Sequence, residues 1–289
     1  VTRKLVLPLA LLLVAFSAAP ALGIDGGAPD GTGHPNVGLL AFDVDGPGGT
    51  PPFVICTGSV ISESAFLTAA HCIIPPLVSL PANVTWAVTL VAGSPASPVV
   101  PGGYFPDDYP FCCALTVPES AIAYATDAVV DPDYDPGTYT EATGGEHDLA
   151  VVEFAPGTFA GVAPVDLVHP TQLDHLAAAG NRQGPRLTIV GYGAELRDGG
   201  TYVAGYRKTG RASLFDVTDN WLALSQTTGG LPGNAALCVG DSGSPQFLGG
   251  SNVQVSVFHG GDLGCIGTGY AQRLDTPAEQ AFLAPFIGS

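Results

Sequence analysis

The stretch CVGDSGSP, Cys238 to Pro245, sets one hydroxyl, Ser242, in a tight turn between Gly240 and Gly243. A serine between glycines is ordinarily a loop residue. Its hydroxyl is a poor nucleophile near neutral pH and needs a base within hydrogen-bond reach, and that base needs a fixed tautomer. Two further stretches supply those residue types. LTAAHC (67–72) places His71 beside Cys72, and EHDLAVVEF (146–154) places Asp148 just ahead of an apolar run. Histidine titrates in the range a base needs, and a buried carboxylate orients the ring and stabilises the imidazolium. Each stretch alone is unremarkable. Together they form the set that acyl transfer requires.

Working outward, apolar and β-branched runs occur at VGLLAF (37–42), FVICTGSVIS (53–62), WAVTLVAG (86–93) and AIAYATDAVV (121–130). Others are LAVVEF (149–154), LTIVGYG (187–193), NWLALSQ (220–226) and VQVSVF (253–258). Gly, Pro, Asp and Asn clusters between them signal turns. Many short strands in this pattern predict barrels or a sandwich. One helix is predicted, TPAEQAFLAPF (276–286), with Thr276 as N-cap, Pro277 in the first turn and Glu279 three residues after the cap. The Pro- and Gly-rich segment 73–145 predicts long surface loops.

The 289 residues carry a formal charge of −17, which argues against binding nucleic acid through its phosphates. Arg3 and Lys4, the apolar run Leu5–Phe16 and the small residues to Gly23 predict a signal peptide over 1–23 and a secreted protein with no membrane anchor. Two lysines and no methionine fit a GC-rich bacterial coding sequence. Export makes Cys56, Cys72, Cys112, Cys113, Cys238 and Cys265 candidates for disulfides, and spacing alone leaves every pairing open.

The order His, Asp, Ser, with TAAHC, HDLAVV and GDSGSP, resembles the trypsin/chymotrypsin family of serine proteases. VVDPDYDP (129–136), TIVGYGAE (188–195) and GTGYAQRL (267–274) extend the likeness over nearly all of the chain after the leader. The resemblance implies an all-β fold of two six-stranded antiparallel Greek-key barrels, with the site in the cleft between them and a C-terminal helix. It places the first barrel over 24–160, carrying His71 and Asp148, and the second over 161–289, carrying Ser242. His71 is then general base and acid, Asp148 its orienter and Ser242 the nucleophile, with the N–H groups of Gly240 and Ser242 as oxyanion hole. Cys56 would pair with Cys72 and Cys238 with Cys265, while the adjacent Cys112 and Cys113 have no family partner and could form a vicinal bridge, remain free or link two chains. The implied activity is serine-type endopeptidase on protein or peptide substrates, by a monomer with no cofactor and no metal.

The family's specificity pocket would draw on Ala236, His259, Gly260 and Thr268. Ala236, six residues before the nucleophile, offers no charge to a Lys or Arg head, so an apolar P1 residue is expected over a basic one. Asp262 is the alternative source of negative charge. The resemblance also implies that a new terminus at Ile24, in Ile24-Asp25-Gly26-Gly27, turns inward to pair with Asp241. A catalytically silent homologue acting as a binding module is the competing reading, but its usual mark is a lost triad member, and none is lost here. An α/β-hydrolase would want the order Ser, Asp, His. The run Asp131, Asp133, Asp135 starts like an EF-hand loop but has Pro136 and Ala142 where Gly and Glu are needed.

Overall fold

The computed structural model describes residues 24–75, 80, 83–93, 97–98, 113–138, 140, 145–177, 185–193, 195–197, 201–203, 206–228, 231–262 and 264–287. The leader segment, Cys112 and the side chain of Cys113 lie outside what is described, so the expected vicinal bridge does too.

The second half of the chain forms a closed antiparallel barrel of six strands. Lys208–Val217 pairs with Arg186–Gly191, followed by Pro245–Leu248, Val253–Gly261, Thr268–Arg273 and Trp221–Ser225, which returns to Lys208–Val217. Closure removes every edge that could pair with another chain. The first half forms a curled sheet whose main path runs Ala123–Tyr124, Thr85–Thr89, Val37–Asp43, Phe53–Ser62, Ala65–Thr68, Ala150–Glu153, Asp127–Val130. Its two end strands are consecutive in the chain. The expected single strand over 121–130 is broken at Ala125 and Thr126, whose N–H groups go to Trp86 and Glu153 on opposite ends of the sheet. The expected pair of barrels is therefore one closed barrel and one curled sheet. Strands between 37 and 153 belong to the curled sheet and those from 166 onward to the barrel sheet, except Glu195–Arg197 and Thr201–Val203, which pair only with each other; Ala28–Pro29 joins the barrel sheet by pairing with Lys208 and Thr209.

One apolar core runs through both halves, with Leu39, Leu40, Phe66, Leu67 and Val151 from the sheet and Leu187, Ile189, Phe247, Val255 and Val257 from the barrel, all completely buried. Polar side chains fix how the halves meet. Ser59 Oγ donates to Gln254 Oε1 (2.7 Å), and Asn36 Nδ2 to Asn252 Oδ1 (2.9 Å). Arg207 is buried between the halves. Its Nε donates to Asp30 Oδ2 (2.7 Å), Nη2 to the Gly31 carbonyl (2.8 Å) and Nη1 to the Val37 carbonyl (3.0 Å). A guanidinium suits this place because its rigid fork satisfies several acceptors at once.

Helices are few. Pro277–Leu283 starts as its sequence dictates: Thr276 is the N-cap and its side chain accepts the Glu279 N–H. Glu279 is buried and accepts bonds from Gln272 Nε2 (3.0 Å) and the His147 ring (2.9 Å), which ties this helix to the loop carrying Asp148. Among the described residues no helix is long and apolar enough to cross a membrane.

Candidate active site

His71 lies in the one-turn helix Ala70–Ile73, directly after the strand Ala65–Thr68. Cys72 is bonded to Cys56 of the neighbouring strand, so the turn is held to the sheet from inside. Asp148 precedes the strand Ala150–Glu153, which pairs with Ala65–Thr68, and that register brings the two residues together across 77 positions of sequence. Asp148 Oδ1 accepts the backbone N–H of His71 at 2.8 Å, and Oδ2 meets His71 Nδ1 at 2.6 Å. Asp148 is completely buried and His71 nearly so. Burial pushes the carboxyl up, but the His71 charge, the bonds from His71 and the nearby His259 outweigh it and hold it below its ordinary value. A carboxylate so placed favours the tautomer that carries its proton on Nδ1 and leaves Nε2 as the basic nitrogen of the ring.

Ser242 follows the turn Cys238–Asp241, closed by the Asp241 N–H on the Cys238 carbonyl (2.9 Å). Its own carbonyl accepts the Thr57 N–H (2.8 Å). Gly243, at φ 82°, packs so closely on its surroundings that a Cβ would overlap the Thr57 carbonyl and Thr68 Oγ1 and press on Ala69 N. Ala69 is two residues before His71, so this contact brings the serine turn against the histidine turn. Only glycine meets both demands at 243, a left-handed backbone and no side chain. Gly240 also has positive φ, 88°. Among the described residues the N–H groups of Gly240 and Ser242 have no protein acceptor, as donors kept for a substrate oxygen require. Cys238 is bonded to Cys265, which anchors the serine turn to the adjoining loop.

Asp241 is completely buried. Its Oδ1 accepts the Gly193 N–H (2.8 Å) and its Oδ2 the Cys238 N–H (2.9 Å). Burial pushes this carboxyl up to about 7, against the pull of the two N–H bonds and the Lys208 charge. Ile24 is also completely buried, and Asp25 exchanges both backbone bonds with Ala236 (2.9 Å each). The segment expected to serve Asp241 thus lies against the loop that carries it.

Ala236, expected at the pocket floor, is fully buried under this bridge. Gly261 and Gly269 are register partners between their strands, and Thr268 pairs with Ser225. Sequence reasoning missed Gln226. Its buried carboxamide accepts the Leu237 N–H on Oε1 (2.6 Å) and packs on Gly269, where a Cβ would come within 2.7 Å of its Cδ. Gln226 follows a strand with no motif of its own, so no local signal marked it. His259, expected in the pocket, stands elsewhere: its ring is buried beside Asp148, with Nδ1 3.9 Å from Oδ2. Asp262 spends its carboxylate on the N–H groups of Gly267 (2.7 Å) and Ile266 (3.3 Å). The one cluster of possible metal ligands among the described residues is Cys56, His71 and Cys72, and both sulfurs are consumed by a disulfide.

Comparison with known proteins agrees with this architecture. No curated protein sequence matches the chain. Among solved structures it is similar to HL collagenase, with a TM-score of 0.61 and 16% identity over 92% of this chain and 99% of the other, a likeness of fold. The sequence model of the family described as Trypsin matches residues 115–278, a stretch that holds Asp148 and Ser242 but not His71. That match spans more than half of the 289 residues, and the chain belongs to the Trypsin family.

Proposed function

We propose that the protein is a secreted serine endopeptidase that works through His71, Asp148 and Ser242 and a covalent acyl-enzyme. The observation that carries this reading is the buried Asp148 carboxylate, which takes both the ring and the backbone N–H of His71. In the proposed reaction His71 Nε2 takes the Ser242 proton as Oγ attacks the scissile carbonyl. The Asp148 carboxylate stabilises the imidazolium, which then gives its proton to the leaving amine. The N–H groups of Gly240 and Ser242 receive the oxyanion, where one such donor is typically worth about 100- to 1000-fold in rate. Water then repeats the sequence on the acyl-enzyme.

The P1 preference proposed is apolar over basic. It is supported by the uncharged Ala236 and by the engagement of Asp262 within its own loop. Secretion is supported by the leader-like sequence over 1–23 and by two disulfides, which persist in oxidising compartments. Cleavage after Gly23 would free the Ile24 amine to serve Asp241.

The test is covalent labelling of leader-free protein with a fluorophosphonate, followed by digestion of a peptide library with product termini read by mass spectrometry. We expect labelling on Ser242, none in Ser242→Ala of unchanged fold, and cleavage after apolar residues. Correctly folded wild type that takes no label is not an enzyme of this kind.

A further inference from the structure

We infer that His259 is a neutral hydrogen donor set behind the triad, a positioning residue that acts on His71 through the Asp148 carboxylate. The inference rests on the enzyme reading above. His259 sits on the strand Val253–Gly261 and is completely enclosed. Its ring stacks on Trp221 with centroids 4.3 Å apart and planes within 9°, which fixes the plane of the imidazole. Its Nδ1 lies 3.9 Å from Asp148 Oδ2, the oxygen that meets His71 Nδ1 at 2.6 Å. Neither ring nitrogen of His259 has a hydrogen-bond partner among the described residues.

A buried polar ring without partners is costly, so its presence calls for a reason. Two titratable groups face it, Asp148 and His71. Burial pushes its pKa down to about 3, the Asp148 charge opposes that, and the His71 charge adds to it. The ring is therefore neutral at any working pH and carries one proton. With a carboxylate facing Nδ1, the favoured tautomer has the proton there. At 3.9 Å this is too long for a hydrogen bond. It is a dipole close to a charge in a site of low dielectric, where such an interaction counts for more than in water.

The consequence falls on His71. A donor behind Asp148 stabilises the carboxylate and weakens its hold on the His71 proton. Without that donor the imidazolium of His71 gains stability and the neutral base is lost at higher pH. A side chain that only filled space would leave the ionisation of His71 where it was.

Two variants separate these roles. His259→Phe keeps the stack on Trp221 and removes the donor. His259→Asn places an amide nitrogen where Nδ1 stands. The acid limb of the kcat/KM–pH profile should rise by about half to one unit in His259→Phe and return toward wild type in His259→Asn. Nitrogen NMR of the wild-type ring should report a neutral Nδ1–H tautomer, a readout that needs no turnover and no stable variant. An unmoved acid limb in folded His259→Phe, or an Nε2–H tautomer in the wild type, overturns the inference. Failure of the enzyme reading is seen separately, as wild type that takes no fluorophosphonate.

Discussion

Asp148 accepts two N–H groups from one residue, the ring and the backbone of His71, with a different oxygen for each. A carboxylate can do this because all its lone pairs accept. An amide cannot, since one of its two terminal atoms is a donor. In Asp148→Asn either the backbone N–H loses its acceptor or the ring must present a bare nitrogen at Nδ1, which puts the proton on Nε2 and removes the basic nitrogen there. The expected loss in kcat is about 10,000-fold, with little change in fold. Steady-state kinetics beside a circular dichroism spectrum checks both halves. A loss of less than tenfold would mean that the tautomer is set by something other than this pair. The three residue types were legible as local motifs, because the chemistry dictates what stands next to each. His259 was not. Its neighbour Asp148 is 111 positions away, and its strand is buried on both faces over most of its length, so alternation along the sequence gave no sign of where the ring points.

At the scale of elements, the strands and the capped C-terminal helix follow from local patterns, while the turns depend on what is packed against them. The strand ending at Gly191 leads into Tyr192 and Gly193, and the Gly193 N–H bonds Asp241. A Cβ at Gly193 would overlap the Asp241 carboxylate and stand 2.6 Å from its backbone nitrogen. The backbone there is fixed by the barrel on one side and by the serine turn on the other, so it has little room to give. Gly193→Ala should therefore destabilise by about 1–3 kcal/mol, as overpacking of a buried site does. The displaced group is one residue from Ser242, so labelling by fluorophosphonate should fall at least about tenfold, since small misplacements of reacting groups are costly. Thermal unfolding and labelling rate, measured together, test this. Normal labelling in a destabilised variant would show that the serine turn is held independently of Gly193. In the sequence this glycine is one of 39. Its role follows from the close approach of a loop 48 positions on.

For the whole molecule, the question is how a buried acid beside Ser242 is tolerated. Asp241 has two N–H donors and, through burial, a pKa near 7. In a chain with Gly23 still attached, Ile24 supplies an uncharged amide. The folded state then binds a proton at Asp241 that the unfolded chain releases near its ordinary value of about 3.9. Between those two values the folded state carries the extra proton, so stability falls as pH rises from about 4 to about 7 and is flat above. With a shift of about three units the loss totals about 4 kcal/mol. A free ammonium at Ile24 reverses this. It lowers the Asp241 pKa and removes the slope, while its own pKa rises above its free value of about 7.7–8.0. The stabilisation from the amine is then complete below that free value and is lost as pH climbs through the raised one. The measurement is urea unfolding, over a pH series, of a chain that begins at Ile24 and of the same chain with that amine acetylated. The stability difference should widen in favour of the free amine from pH 4 to 7, in line with the carboxyl's titration, and narrow again above about 8. Parallel curves would mean that Ile24, though buried against the same loop, does not bring its amine to Asp241, and that the carboxylate is balanced from within the barrel, where Lys208 is the nearby charge.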